Sequence, residues 1–535
     1  MKNTGFKLGY IILLTVIILL NTVACNSTIS NSGELEIDNT EDLDLEEQED
    51  QVVIRLAGGD YGLPSPYLHY PRGPGGYKMQ LVFDSLLEKD EKGLIPWMAK
   101  DWEISEDGLE YIFTINDNIY WHDGEPLKME DIKFSFEYFE KHPPAWNPVT
   151  IDGKTIVDKI EILDENKIKF IMTEKKATAL EVLGYARILP KHIWEEVEDP
   201  QAFDTDQALI GCGPYQLKSY NKEHGSYEFV AFKEYWGPKQ RVDKIQYLPI
   251  SDKVLAFENN EIDLIEVGTD LLGRYENNSQ FNISENPGFW GYRIIFNMER
   301  EPIFKEKEVR QGIAHGIDQE EMIEKVARGA AIIASPGYLP KDHIWYNSKV
   351  KSYPFDIELA REKLGNKVYS FELLIGNSND EVRIAELMKI SLEKAGVQIN
   401  IKSIDSKARD SAINSGDYEI VLTGHGGWGS DADILRGRYA SSKSDGKSAS
   451  GNTILGYENQ EIQTLAQQQL RELDINKRKD MIFELQELIA EEIPFLPLYN
   501  TTGHMVYSPN KYDGWMYMYD HHSLDHSKLS YLQRK

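Results

Sequence analysis

The chain has 535 residues, of which 58 are lysine or arginine and 88 are aspartate or glutamate, so its formal net charge is −30 at pH 7. Such an acidic balance argues against binding to nucleic acid and against adhesion to anionic lipid. Residues 52–535 are too many for one hydrophobic core, so two or three domains are expected.

The amino terminus has the pattern of a signal peptide. Lys2 and Lys7 precede an apolar run over residues 10–20, which is too short to span a bilayer stably. The run ends in T-V-A-C, which resembles the lipobox of bacterial lipoproteins, with Thr22 where leucine is usual. The resemblance implies a lipoprotein signal peptide over 1–25 and lipidation of Cys25. Secretion with release of the protein is the alternative.

Residues 26–51 contain ten aspartates and glutamates and no lysine or arginine. Such a segment buries too little apolar surface to offset the entropy of ordering, and its like charges repel one another. It is predicted to be a disordered tether. The body that follows has one cysteine, Cys212, so no internal disulfide is expected.

The first part of the body contains an aromatic loop, DYGLPSPYLHYPRGPGGYKM, over residues 60–79. A strand is predicted before it, over 51–58, and a helix after it, over 79–87. So many aromatic residues in a loop made irregular by proline and glycine suggest the lining of a cleft, with Tyr61, Tyr67 and His69 as candidate ligand contacts. Packing of these residues against a neighbouring domain is the equal alternative.

From residue 120 onward the chain resembles a known family. The run Y-W-H-D-G-E-P-L at 120–127, with E-D-I and F-S-F-E shortly after it, is similar to the signature of family 5 extracytoplasmic solute-binding proteins, which serve peptide and nickel ABC transporters. In that family the stretch is scaffold, so His122 is predicted to be a hydrogen-bonded structural residue. Further matches follow in the family's order: P-K-H-I-W at 190–194, G-C-G-P-Y at 211–215, Y-W-G at 235–237, F-N-M at 296–298 and V-R-Q-G-I-A-H-G-I-D at 309–318.

The resemblance implies an α/β fold. It would be bilobed and periplasmic-binding-protein-like, of type II and of the large peptide-binding class, with an extra subdomain. Lobe I would comprise 52–90, 200–297 and 495–535, the extra subdomain of lobe I 91–199, and lobe II 298–494. The chain would cross between the lobes twice, near Asn297 and near Pro494.

Local patterns in the later half also indicate α/β structure. An apolar strand over 369–375, an amphipathic helix over 380–395 and a strand over 397–404 form a unit whose strands should be parallel. Asp318 and Asp356 are placed to cap helices, and a long amphipathic helix is predicted over 477–491.

The stretch YEIVLTGHGGWGSDADIL, residues 418–435, is the predicted centre of the site. A buried strand over 418–423 is expected to stop at the glycine cluster that begins at Gly424. Loops beyond the carboxyl ends of strands bind ligands in open α/β domains. The alternative to a ligand site is a purely structural role, in which the stretch is a glycine-rich turn with a core tryptophan and a solvated aspartate.

In peptide-binding relatives an aspartate that follows a glycine-tryptophan pair contacts the α-ammonium group of the peptide. The resemblance of G-W-G-S-D at 427–431 carries this role to Asp431, with Asp433 as the alternate. Gly427, Trp428 and His425 are the other candidate ligand contacts. The predicted function is that of the substrate-binding lipoprotein of an ABC importer, which captures oligopeptides or dipeptides between its lobes.

Nickel, free or chelated, is the rival ligand, with His425, His69 and His504 as candidate contacts and a further histidine group, His521, His522 and His526, near the carboxyl terminus. Motifs of common hydrolases, zinc proteases and nucleotide-binding proteins are absent, so no enzyme activity and no cofactor are expected. The expected partners are a peptide, permease and ATPase subunits, and the extracytoplasmic face of the bacterial cell membrane through the lipid anchor. The protein is expected to be a monomer, and a sugar-binding or chaperone-like role is a third possibility.

Overall fold

Two large hydrophobic cores divide the folded chain into two lobes. One core contains only residues between 292 and 499, and the other contains residues from 54–247, Leu264 and residues from 505–532. A small third cluster, around Phe257 and Tyr275, includes Val506. The chain therefore has the bilobed arrangement that the sequence predicts.

The computed structural model describes residues 51–70, 74–145, 147–151, 153–439, 454–517 and 523–533. The predicted signal peptide with Cys25, all of the tether but its last residue, and His521 and His522 lie outside these residues. Within the described ranges, none of the helices combines the length and the apolar character needed to cross a membrane.

The first half of the body forms the following elements in chain order: β1 (Val53–Ala57), α1 (Gly75–Val82), β2 (Leu87–Asp90), β3 (Gly93–Pro96), β4 (Ala99–Ile104), β5 (Glu110–Ile115), α2 (Met129–Lys141), β6 (Thr150–Ile151), β7 (Lys154–Thr155), β8 (Val157–Ile162), β9 (Lys167–Met172), α3 (Ala179–Gly184), α4 (Lys191–Trp194), β10 (Tyr215–Asn221), β11 (Ser226–Ala231), β12 (Lys244–Leu248), α5 (Lys253–Glu258), β13 (Leu264–Val267) and α6 (Thr269–Leu272).

The second half continues with these elements: β14 (Asn282–Phe296), α7 (Lys307–His315), α8 (Gln319–Lys325), β15 (Ala331–Ile333), α9 (Ile357–Lys363), β16 (Tyr369–Ile375), α10 (Asn379–Lys394), β17 (Val397–Ser403), α11 (Ser406–Ser415), β18 (Ile420–Gly426), α12 (Ile434–Tyr439), α13 (Gln460–Leu470), α14 (Ile475–Glu492) and β19 (Phe495–Tyr507).

Three large sheets contain most of the described strands, and β2-β3 and β6-β7 are separate two-stranded pairs. Lobe I contains the order β1-β12-β11-β10, in which β1 and β12 are parallel, and the antiparallel sheet β4-β5-β9-β8. The second of these sheets lies within the segment predicted to be an extra subdomain, and it packs in the same core as the first. The largest sheet has the order β13-β19-β14-β18-β16-β17, with β15 also paired to β19.

Strands β14 and β19 run through both lobes. The part of β14 from Trp290 to Phe296 pairs with β18, whereas residues 504–507 of β19 pair with β13. Side chains such as Phe296 and Leu496 pack in the core of lobe II. The predicted crossings near Asn297 and Pro494 are therefore misplaced: the strands change partners around 286–290 and 501–503, because both strands are longer than their sequence patterns indicate.

Other local predictions are confirmed. Strands β16 and β17 are parallel and flank α10, and the Asp318 and Asp356 side chains accept the N-terminal hydrogen bonds of α8 and α9. His122 is a structural residue, since its Nε2 donates to Gly213 O at 3.0 Å and burial lowers its pKa to about 4.

Two predicted element boundaries are wrong. A helix is predicted over 79–87, but α1 begins at Gly75 and ends at Val82. The backbone is extended at Phe83, and the next residue, Asp84, accepts hydrogen bonds from Trp97 and Lys528 on other segments. Strand β18 continues through Gly424 to Gly426, because both glycines pair with β14.

Candidate functional site

Strand β18 lies in lobe II and is unequally paired on its two edges. Its neighbour β16 pairs with it only at Ile420 and Val421, whereas β14 pairs with it along its whole length. Among the described residues, nothing pairs with the second edge of β18 over residues 422–426. Because β16 and β18 are parallel, this open edge lies beyond the carboxyl end of the β16 pairing, which is where open α/β sheets bind ligands.

The glycine loop that follows β18 leaves space beside its backbone. Gly427 and Gly429 have φ of +64° and +68°, the left-handed region that side chains disfavour. Apart from the adjacent residues of the chain, no described atom lies within 4 Å of where a Cβ would stand on either glycine. His343 Nε2 donates to the carbonyl oxygen of Gly429 at 3.1 Å. An extended chain could therefore approach this backbone closely.

Asp431 follows the glycine loop and is held by an arginine. Arg478, in the first turns of α14, donates from Nη1 to Oδ2 at 2.7 Å and from Nη2 to Oδ1 at 2.6 Å. Oδ1 also accepts the Asp433 backbone N–H at 2.7 Å. The Asp431 side chain is 19 % exposed and that of Arg478 is 5 % exposed. The carboxylate thus keeps some access to solvent, but its charge is already compensated.

Asp433 has an arginine of its own. Arg436 donates to both carboxylate oxygens, at 2.8 and 2.6 Å, and Gln469 Nε2 donates to Oδ1 at 2.7 Å. The side-chain oxygen of Gln469 accepts from Arg478, so one amide joins the two ion pairs. The network ties the loop after β18 to α12, α13 and α14. Asp433 is therefore less available to a ligand than Asp431.

Trp428 and His425 lie in the core of lobe II, 4 % and 5 % exposed. The His425 ring stacks on Tyr338 at 5.4 Å between centroids and meets Trp428 edge-on at 5.3 Å. Burial, with added repulsion from Arg293 and Arg438, holds the pKa of His425 well below its usual value. Its imidazole is consequently neutral at physiological pH. Trp428 is a core residue, which is the alternative given for it from the sequence.

The loop between β1 and α1 divides its aromatic residues. Tyr67 is buried against Tyr138 and Trp194, and its hydroxyl donates to His142 O at 2.6 Å. His69 is buried and its Nδ1 donates to Ser65 O. These two residues occupy the positions that the packing alternative describes, because Tyr67 bonds to the segment after α2 and His69 bonds within its own loop. As ligand contacts they stay predictions. Tyr61 stays partly exposed.

The histidines proposed for nickel do not converge. His69 is in the loop after β1, His425 is in β18, and His504 is in β19, where it pairs with Val267 and Glu285. In the part of the chain that the structure describes, no group of three or more histidine, cysteine, aspartate or glutamate side chains is placed to hold a metal ion.

The two lobes touch beside the glycine loop. Lys89, at the edge of lobe I, contacts Glu181 at 2.5 Å and Ser430 Oγ at 3.1 Å, and Ser430 Oγ donates to Glu181 at 2.8 Å. A second contact joins Ala177 N–H to Leu470 O at 2.6 Å. Ser430 is thus a lobe II residue bonded to lobe I and adjacent to Asp431.

The sequence analysis missed Arg478, Lys89 and Glu181. Each acts on a partner far along the chain: Arg478 is 47 residues from Asp431, and Glu181 is 249 residues from Ser430. A single charged residue in a helix or strand is most often solvated, so the local patterns of these three residues carry no signal of their roles.

Known proteins resemble this chain over most of its length. The model of the family "Bacterial extracellular solute-binding proteins, family 5 Middle" matches residues 93–447. The dipeptide-binding protein of Escherichia coli (strain K12) is 25 % identical over 446 residues, which are 76 % of this chain and 81 % of that protein.

Two solved structures share the fold. DppA from Helicobacter pylori, in complex with the peptide STSA, has a TM-score of 0.70 and 22 % identity, with 90 % of this chain and 98 % of that chain covered. NikZ from Campylobacter jejuni, in complex with Ni(L-His), has a TM-score of 0.69 and 24 % identity, with 86 % and 94 % covered.

Proposed function

Because the chain belongs to the family 5 bacterial extracellular solute-binding proteins, we propose that it is the substrate-binding component of an ABC importer, which encloses oligopeptides or dipeptides between its lobes and delivers them to a membrane permease and its ATPase. The relatives named for dipeptide binding support a peptide ligand. A family of transporter components also argues against an enzyme.

The open edge of β18 is the observation that carries this proposal. An extended peptide can add to such an edge through main-chain hydrogen bonds, which give affinity without reading side chains. The space beside Gly427 and Gly429 permits the close approach that this pairing needs. Micromolar affinity corresponds to about −8 kcal/mol, which one ion pair cannot supply, so the backbone contacts must provide most of it. Broad acceptance of side chains follows.

Asp431 is the proposed contact for the α-ammonium group of the peptide. Arg478 holds the carboxylate by both oxygens. Among the described residues, Oδ2 accepts one hydrogen bond and Oδ1 accepts two, so Oδ2 keeps an acceptor position for a ligand. Ser430 bonds to Glu181 and Lys89 of lobe I, so lobe closure and the amine site share one loop. His425 and Trp428 support this loop from the core. Tyr61, the partly exposed tyrosine of the loop between β1 and α1, is the proposed ligand contact on lobe I.

We further propose that Cys25 is lipidated and that the acidic segment 26–51 tethers a monomeric binding protein to the extracytoplasmic face of the cell membrane. A dual or triple acyl modification gives stable anchoring, since each buried CH₂ contributes about 0.8 kcal/mol. Mass analysis of the mature amino terminus tests this, and replacement of Cys25 by serine should release the protein from membranes.

Native mass spectrometry of the purified protein tests the ligand. Co-purified peptides, a nickel adduct and an empty protein have three distinguishable masses. We expect a heterogeneous set of peptide adducts, which disappears after unfolding and refolding and returns when di- to tetrapeptides are added. Stoichiometric nickel without peptide would replace the peptide proposal by the nickel alternative.

A further inference from the structure

Lys78 in α1 is buried, and none of the carboxylates that the structure describes forms an ion pair with it. The residue is 2 % exposed, and Asp525 is the one described carboxylate whose charge acts on it. Three tyrosine rings surround Nζ instead, with centroids at 3.8 Å for Tyr247, 4.8 Å for Tyr61 and 5.3 Å for Tyr227. Buried charges are ordinarily paired, so this cation lacks its usual compensation.

The tyrosine cage lies at the carboxyl ends of lobe I strands. Strands β1 and β12 are parallel, Tyr247 is the second-last residue of β12, and Tyr61 follows the end of β1 by four residues. This is the edge at which open sheets with parallel strands receive ligands. Tyr227 bonds to the backbone of the same loop, accepting from Tyr61 N–H and donating to Gly62 O, both at 2.9 Å. Tyr227 and Tyr247 are buried and Tyr61 is partly exposed, so Tyr61 is the side of the cage nearest to solvent.

The first turn of α1 adds a second feature that suits an anion. Lys78 is the fourth residue of this eight-residue helix, whose N-cap, Pro74, makes no side-chain cap hydrogen bond. At Gly76, no described atom lies within 4 Å of the position that a Cβ would occupy. Helix N-termini attract negative charge through their free N–H groups. A negatively charged group could therefore approach both the helix end and Nζ.

The charges around Lys78 leave its ammonium under-compensated. Four titratable groups face Lys78 from the elements packed against it: Tyr61 in the loop, Tyr227 in β11, Tyr247 in β12 and Asp525 near the carboxyl terminus. Asp525 acts through its charge and forms no ion pair with Lys78. Burial lowers the pKa of Lys78 to about 8 and the field of Asp525 opposes this only in part. The pKa of Tyr227 is raised to about 12, so its hydroxyl stays neutral.

We infer that Lys78, the Tyr61 ring and the first turn of α1 form a subsite on lobe I for a carboxylate of the ligand. This inference rests on the proposed function and assigns its ligands a second charge requirement, opposite in sign to the one at Asp431. The carboxylate can be the free C-terminus of a peptide or an acidic side chain.

Calorimetric titration with three matched peptides tests the subsite: a free acid with apolar side chains, its C-terminal amide, and the same amide with one glutamate. A charge-assisted hydrogen bond lost on amidation corresponds to about tenfold or more in affinity. We expect the free acid to bind the natural protein that much more tightly than its amide, and Lys78→Met to bind both alike. Recovery of affinity by the glutamate peptide would identify side-chain carboxylates as ligands too.

Lys244→Met is the matched control, because Lys244 is also in lobe I but has a carboxylate partner, Glu228, at 3.6 Å. Lys244→Met should bind the free-acid peptide more tightly than its amide, as the natural protein does. Lys78→Arg should retain part of this preference, which Lys78→Met loses. A measurement without variants is the ratio of the two affinities against pH, which should fall above about pH 8 as Lys78 loses its proton. Equal affinity of acid and amide in the natural protein would overturn the inference alone. Failure of every peptide to bind would overturn the proposed function with it.

Discussion

Replacement of Asp431 by alanine should damage stability and affinity for two different reasons. In the ligand-free protein it leaves the guanidinium of Arg478, 5 % exposed, without a carboxylate. Loss of one partner of a buried ion pair costs about 3–5 kcal/mol. The oxygen of Gln469 still accepts from Arg478 at 3.0 and 3.1 Å, so the lower end of that range is expected. Urea unfolding of protein refolded free of ligand measures this loss.

The double variant Asp431→Ala with Arg478→Met separates the two effects. It removes the whole ion pair, and an apolar side chain in place of a buried pair is often neutral or stabilising. We therefore expect the double variant to regain most of the free energy of unfolding that the single variant loses. If the double variant were no more stable than the single variant, the ion pair would not be the reason for the loss.

Peptide affinity should not return with stability. A hydrogen bond to a charged group contributes about 1.5–3 kcal/mol, so both variants should bind a peptide with a free amino terminus about 10- to 100-fold more weakly than the natural protein. An N-acetylated peptide, which has no ammonium, should bind all three proteins alike. Natural affinity in the double variant would refute the amine contact, and loss confined to Asp433→Ala would move it to the alternate carboxylate.

Three further results are expected from the structure. Ser430→Ala removes a hydroxyl that bonds to Glu181 of lobe I, so peptide affinity should fall several-fold while the free energy of unfolding stays nearly unchanged. A variant that binds peptide with natural affinity would contradict this. Lys528 contacts Asp84 at 2.5 Å and Glu88 at 3.0 Å, all fully buried, so Lys528→Met should cost about 3–5 kcal/mol in urea unfolding. Burial would raise the pKa of Glu88, but the charges of Arg187 and Lys528 outweigh it and lower that pKa to about 2. The stability that Glu88 contributes is therefore present above its ordinary pKa of 4.5 and is lost as the pH falls toward 2. Lys528→Met should lose less stability than the natural protein in that window, and equal acid sensitivity of the two proteins would contradict the pairing of Lys528 with Glu88. For His425 the folded pKa lies well below 6.5, so the unfolded chain binds the proton first and stability should fall as pH drops below about 6.5; His425→Phe should flatten this slope, and an unchanged pH profile of unfolding would show that the histidine is not buried neutral.

The sequence specifies those parts of the molecule whose causes are local. The alternation of β16 and β17 around an amphipathic helix, and the aspartate caps of α8 and α9, depend on residues within a few positions of one another. The order of family motifs predicts the bilobed fold, which two solved structures share with this chain over most of its length. The G-W-G-S-D segment likewise marks the loop at the end of β18.

Only the tertiary structure decides how that loop is used. Gly424 and Gly426 belong to a strand because β14, more than a hundred residues earlier, pairs with them. Asp431 is compensated by Arg478 through α14, and Lys78 is enclosed by rings from three separate segments. The charge available to a ligand is the sum over neighbours brought together by packing, and a local pattern contains no record of which distant side chains those neighbours are.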